Sequence, residues 1–237
     1  MTQLYLIRHG QAFVNVTRII GGMRGDTGLT ERGISQAEWL RDRLAATREI
    51  AADVLITSTM PRARQTASII APALQLTPHE DADFCEMNPG EADGLSFEEY
   101  EQRYGPFAFN PSKPLSPGGE TWLTFTDRTS AAFERITTEH AGKIIVVVCH
   151  GWVIESSFSH FFGIGRSEMP TLEFHQVSNT SITKWQHYER GERWRWGLER
   201  YNDAVHLQSA VRWQVENPAL NAEHPAVPLS DDDTVAQ

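Results

Sequence analysis

Three short stretches carry residue types suited to handling a phosphate group. Arg8-His9-Gly10 follows Leu4-Tyr5-Leu6-Ile7, Arg62 comes shortly after Asp53-Val54-Leu55-Ile56-Thr57, and His150 directly follows Ile144-Ile145-Val146-Val147-Val148-Cys149. A guanidinium offers a planar fork of donors that matches the nonbridging oxygens of a phosphoryl group better than an ammonium does. A neutral imidazole can attack phosphorus and hold it covalently. Each group alone has an ordinary alternative, because a histidine at a strand end is often structural and Arg62 with Arg64 could form a solvated helix face. Their joint occurrence beyond three similar apolar runs is what points to a site.

Those runs read as buried strands, and each is followed by a helical pattern: Glu31 to Ala46, Arg62 to Leu74 and Trp152 to Phe162. Strands alternating with helices predict a three-layer α/β/α fold with a mostly parallel central sheet. Ligands of such sheets sit beyond the carboxyl ends of the strands. Ser58 or Thr59 is expected to cap the second helix, with Pro61 in its first turn, which fixes Arg62 at its start. His150 stands where a helix begins, so free N–H groups there favour an anion.

The chain has 237 residues with 40% hydrophobic and 22% charged residues, ordinary globular composition with length enough for a substantial core. Its formal net charge of -10 argues against nucleic acid or an anionic membrane as partner. Half of that charge lies in Glu216, Glu223, Asp231, Asp232 and Asp233, beside Pro218, Pro225 and Pro228. We therefore expect a catalytic domain over 1–215 and an acidic, proline-containing tail over 216–237, a solvated terminus with a folded-back lid as the alternative. Two cysteines, Cys85 and Cys149, exclude a disulfide scaffold. No apolar stretch approaches the roughly 20 residues of a membrane span, and Arg8-His9-Gly10 lies too near Met1 for a cleavable leader, so the expected location is cytoplasmic.

Six segments together resemble the histidine phosphatase superfamily, the branch that includes cofactor-dependent phosphoglycerate mutases. They are LIRHGQA at 6–12 with Asn15, DTGLTERGISQA at 26–37, STMPRARQTA at 58–67, Glu86 with Gly90 and Gly94, PGGET at 117–121 with Arg128, and VVVCHGWVI at 146–154. The resemblance implies a phosphoglycerate mutase-like fold with His9 as nucleophile and Glu86 as proton donor. Arg8, Arg62 and His150 would grip the transferring phosphate, His150 as a protonated donor, with Asn15 among the substrate contacts. Gln11 and Ala12 stand where many members have Glu and Thr, so substrate identity does not carry over. The pattern Asn202-Asp203-Ala204-Val205-His206-Leu207, after an expected hairpin of Ile182–Tyr188 and Trp194–Leu198, is similar to the ending of small-molecule phosphatases of the family.

Hydrolysis and phosphate exchange between hydroxyls both fit this resemblance. The interval from Glu86 to Gly118 is short and contains only Arg103 and Lys113 as basic residues, whereas the family's mutases carry a longer basic insertion there. A phosphomonoester hydrolase acting on a small metabolite is therefore expected, with a phosphoglycerate mutase and a non-catalytic phosphate-binding protein as alternatives. Phe97, Tyr100, Tyr104, Phe107 and Phe109 suggest an apolar cap, and specificity is expected from Phe13 to Arg24, the segment after Glu86, and Trp152. No zinc-type histidine motif appears, so neither a metal nor another cofactor is expected, and His175, His187 and His206 read as structural. The expected partner is a small phosphomonoester, and a homodimer is compatible with the sequence.

Overall fold

The computed structural model describes residues 1–107, 110–163, 177–190 and 193–208. The strands β1 (Gln3–Arg8), β2 (Val54–Thr57), β3 (His79–Glu80), β4 (Ile144–Cys149), β5 (Ile182–Arg190) and β6 (Arg193–Asp203) form one sheet in the order β3-β2-β4-β1-β5-β6. The pairs β3/β2, β2/β4 and β4/β1 are parallel, whereas β1/β5 and β5/β6 are antiparallel. The mostly parallel expectation holds, and the antiparallel edge is the expected hairpin, longer than the sequence indicated. Residues 191–192, between the two strands, lie outside the described residues.

Period-two alternation decides which residues meet which layer. Leu4, Leu6, Ile145 and Val147 face the layer built by α5 (Trp122–Glu139) and α6 (Gly151–Phe162), packing with Phe84, Phe125, Phe133, Val153, Phe158 and Trp185. Tyr5, Ile7, Val146 and Val148 face α2 (Glu31–Thr47) and α3 (Pro61–Leu74), whose Leu40, Leu44, Ala63, Ala67 and Ile70 close the second core. A fully buried aliphatic side chain of this kind contributes about 1.5–3 kcal/mol, so the central strands are anchored from both sides. Two short helices, α1 (Phe13–Val16) and α4 (Phe97–Tyr104), lie in the connections beside the strand ends.

The register of β1 with β4 pairs Arg8 with Cys149, and the His9 N–H donates to the Cys149 carbonyl at 3.0 Å. Two adjacent parallel strands therefore end at the same height, which brings His9 and His150 together with ring centroids 5.1 Å apart. The proposed boundary at 215/216, the acidic tail, His175 and Phe109 lie outside the described residues. Among the described residues no helix is long and apolar enough to cross a membrane.

Candidate active site

The turn after β1 is held from several sides. The Gly10 N–H donates to Thr66 Oγ1 at 3.0 Å, the Gln11 N–H to Gln36 Oε1 at 2.8 Å, and the Thr30 N–H to the Gln11 carbonyl at 2.9 Å. Asn179 Nδ2 donates to the His9 carbonyl at 2.9 Å. Thr180, a β-branched residue at φ 58, donates its N–H to the Arg8 carbonyl at 2.9 Å, and such a conformation costs energy that the surrounding structure must offset. Backbone contact here is close: a Cβ on Gly10 would meet the Gly33 carbonyl oxygen at 2.4 Å, and one on Gly33 would meet the Gln11 carbonyl oxygen at 2.0 Å. The two glycines thus let the first turn of α2 press against the His9 turn.

His9 itself is buried with Nδ1 2.7 Å from the Gly10 carbonyl oxygen. A carbonyl can only accept, so the proton resides on Nδ1 and Nε2 keeps its lone pair. Nε2 lies 3.1 Å from Arg62 Nε, and the same Nε lies 3.2 Å from His150 Nδ1. One guanidinium N–H is shared between two imidazole acceptors, which fixes the tautomer of His150 as well, so its Nε2 donates to Ser58 Oγ at 2.8 Å. Burial first, and the positive charge of Arg62 and Arg8 after it, hold the pKa of His9 well below the usual 6.5. The same causes depress His150. Without a phosphate, burial beside two arginines disfavours the protonated ring; the expected protonated donor is a property of the phosphate-bound site.

Arg62 is oriented by a residue that the motif reading quoted without giving it a role. Asp26 Oδ2 accepts from Arg62 Nη1 at 3.0 Å and from the Arg62 N–H at 3.2 Å, while Oδ1 accepts from the Gly28 N–H at 2.9 Å. The side chains of Arg62 and Asp26 are 3% and 0% exposed, so this is a desolvated, fully hydrogen-bonded pair. The expected cap differs too. Met60, not Ser58 or Thr59, is the N-cap of α3 with no side-chain cap bond, and Pro61 occupies the first turn as expected. Ser58 Oγ instead accepts from the Met60 N–H at 3.2 Å and serves His150. Arg8 points its Nη1 to the Val177 carbonyl.

Glu86 arrives on a segment without regular structure, which the second motif residues hold in place. Arg128 grips Glu120 through Nε and Nη2, both at 2.8 Å, and donates Nη1 to the carbonyls of Asp83 at 2.7 Å and Cys85 at 3.2 Å. Glu120 accepts from the Asn88 N–H at 2.9 Å, and its own N–H donates to the Asn88 carbonyl at 2.8 Å. Gly90 turns the chain at φ 69, where a Cβ would strike Pro117 and Gly119 backbone at 2.4 Å. The carboxylate of Glu86 accepts from the N–H groups of Met87 at 3.2 Å and Trp152 at 3.3 Å. Desolvation outweighs these bonds and the attraction of Arg62, so its pKa lies above the usual 4.5.

Arg8, His9, Asn15, Arg62 and Glu86 all line one pocket of about 260 Å³, and His150 lies buried against His9 and Arg62 beneath it. Asn15 Oδ1 accepts from the Ala12 N–H at 2.8 Å, which leaves the amide Nδ2 as the donor end. The predicted selectivity segments also reach the pocket, through Val14, Ile19, Ile20, Met87, Pro89 and Trp152. Of the aromatic cap, Phe97 and Phe107 line the pocket, whereas Tyr100 is buried in packing against Tyr104 and Phe107. His206 is structural as expected, 2.9 Å from Thr180 Oγ1, with burial beside Arg43 lowering its pKa to about 4. His187 stacks on Trp196 with ring centroids 5.0 Å apart.

Two residues escaped the sequence reading, Asp26 behind Arg62 and Glu155 in the pocket lining. Asp26 was legible only as the first letter of a motif. Glu155 lies four residues after Gly151, one helical turn further on the same face of α6, and this periodicity could have found it.

Comparison with known proteins follows the same residues. A family model described as histidine phosphatase superfamily (branch 1) matches residues 4–204. The chain is 30% identical over 212 residues to phosphoglycerate mutase-like protein 4 of Arabidopsis thaliana, covering 87% of each sequence. It is 28% identical over 212 residues to the uncharacterized phosphatase PhoE of Bacillus subtilis (strain 168), covering 90% of this chain and 100% of that one. Among solved structures, YhfR of Bacillus stearothermophilus superposes with a TM-score of 0.73 at 27% identity, covering 87% of this chain and 100% of that one.

Proposed function

The chain belongs to branch 1 of the histidine phosphatase superfamily, and from that membership we propose that it hydrolyses small phosphomonoesters through a phosphohistidine formed on His9. The observation that carries this reading is the shared Arg62 N–H between His9 Nε2 and His150 Nδ1, with His9 Nδ1 committed to the Gly10 carbonyl. A neutral imidazole with its lone pair beside two guanidinium groups is poised for attack on a phosphoryl group.

In the first step His9 Nε2 bonds to phosphorus as the ester P–O bond breaks. The leaving alkoxide takes the proton of Glu86, and Arg8 and Arg62 stabilise the charge spread over the nonbridging oxygens. A dianion bound there also raises the depressed pKa of His150, which then gains a proton or shares its hydrogen bonds with the phosphate. In the second step the Glu86 carboxylate takes a proton from water, the oxygen attacks phosphorus, and the P–N bond breaks to restore neutral His9. The raised pKa of Glu86 suits this double duty, since a catalytic acid works best with a pKa near the working pH.

Hydrolysis is favoured over mutase chemistry because the pocket holds Arg8 and Arg62 as its only cationic side chains among the described lining residues. A mutase must seat a second anionic group. A colorimetric assay with p-nitrophenyl phosphate tests the reading: wild type releases p-nitrophenol, and His9→Ala loses at least about 1000-fold of kcat. Run across pH, the same assay places the acid limb of kcat/KM below 6.5, because His9 must lose its proton to attack and its pKa is lowered. Equal turnover in wild type and His9→Ala would overturn the assignment. An inert wild type would return the binding-protein alternative.

A further inference from the structure

Resting on the phosphatase reading, we propose that Glu155 determines substrate choice by rejecting any phosphomonoester whose alcohol carries a second anionic group. The pocket would then take esters of neutral, apolar alcohols.

Arg8 and Arg62 converge with His9 at the strand ends, where the phosphoryl group is handled. The lining also includes Val14, Ile19, Ile20, Met87, Phe97 and Trp152, and its other charged groups are the carboxylates of Glu86 and Glu155. Glu86 has its task and two backbone donors. Glu155 has neither: it takes no part in the proposed proton transfers, and no hydrogen bond contributes to its titration.

Among the described residues, the titratable groups whose charge acts on Glu155 or is acted on by it are Glu86, Arg8 from β1 and Tyr201 from β6. Burial and the charge of Glu86 push its pKa up to about 7 against the pull of Arg8, so above that pH Glu155 adds a negative charge to the pocket even when Glu86 holds the proton it donates. An apolar alcohol meets matching walls there. A carboxylate or second phosphate on the alcohol meets the Glu155 charge in a site whose described lining offers no cation beyond Arg8 and Arg62, a built-in repulsion of the kind that separates competing ligands. The volume of about 260 Å³ is small for a ligand pocket, so a substituent on the alcohol shares a confined space with Glu155.

A matched pair of substrates isolates charge from shape: phenyl phosphate and 4-carboxyphenyl phosphate, assayed by phosphate release at pH 8. Wild type should favour phenyl phosphate by about 100-fold or more in kcat/KM, and Glu155→Gln should narrow that preference by about 10-fold. Because each ratio is measured on one preparation, a loss of folded protein cancels. Similar kcat/KM for both esters in wild type, or an unchanged ratio in Glu155→Gln, overturns the inference while leaving the phosphatase reading intact. If Glu155→Gln does not fold, the wild-type ratio decides alone. Release from neither ester defeats the phosphatase reading and the inference with it.

Discussion

At the scale of single residues, the site depends on where one proton sits and which way one guanidinium faces. His9 donates Nδ1–H to a carbonyl and keeps Nε2 unprotonated, and Arg62 donates Nε–H to that nitrogen because Asp26 holds its Nη1 from the other side. Replacing Asp26 with Asn keeps the shape but removes the charge that orients the fork, and a misplacement of about 1 Å near the reacting atoms can cost about 100-fold in rate. We therefore expect Asp26→Asn to lose about that factor in kcat with a smaller change in KM, measured on p-nitrophenyl phosphate beside a thermal melt of the same sample. A purely structural role would lower the melting temperature and the active fraction without touching kcat per folded molecule. Neither Asp26 nor Glu155 announces its role in the sequence, because burial and the partner of a carboxylate depend on contacts made across the fold. His9, Arg62 and His150 were legible because they follow apolar runs whose ends a parallel sheet must align.

At the scale of elements, the site is a set of turns pressed onto strand ends. The first turn of α2 approaches the His9 turn so closely that Gly33 cannot carry a Cβ without striking the Gln11 carbonyl oxygen at 2.0 Å. Gly33→Ala must push the two backbones apart, which should cost about 1–3 kcal/mol and lower the melting temperature by several degrees for a domain of this size. It should also lower kcat, because the displaced turn carries His9; a melt and a turnover rate matching wild type would refute the close approach as a determinant. The strands and the starts of α2, α3 and α6 could be read in advance, since apolar runs, helical periodicity and Pro61 leave local signals; the Thr30 cap of α2 was not read. The capping of α3 could not: Ser58 is chemically fit to cap it, but the strand places its hydroxyl beside His150, and that contact is long-range. The irregular segment around Glu86 was legible only through its glycines, because its position depends on the Arg128–Glu120 clamp from α5 and the turn before it.

At the scale of the whole molecule, a formal charge of -10 coexists with a buried positive centre. Low dielectric and short distance make Arg8 and Arg62 dominate locally, while the surrounding field disfavours large polyanions. The catalytic-domain assignment over 1–215 remains our proposal for the chain's organisation, with the acidic segment from 216 as an appendage. The six-stranded sheet with a layer on each face has one structural consequence for chemistry: β1 and β4 end side by side, so the proposed nucleophile and phosphate grip are brought together by the fold's topology rather than by neighbours in sequence. The most direct test of the central claim is to quench the enzyme during turnover of a radiolabelled phosphomonoester in alkaline denaturant and map the label on peptides. The account predicts an acid-labile, base-stable phosphoryl group on the peptide containing His9, accumulating further in Glu86→Gln, where its hydrolysis is slowed. Label on any other residue, or turnover without a trapped phosphoryl group in either protein, would contradict it.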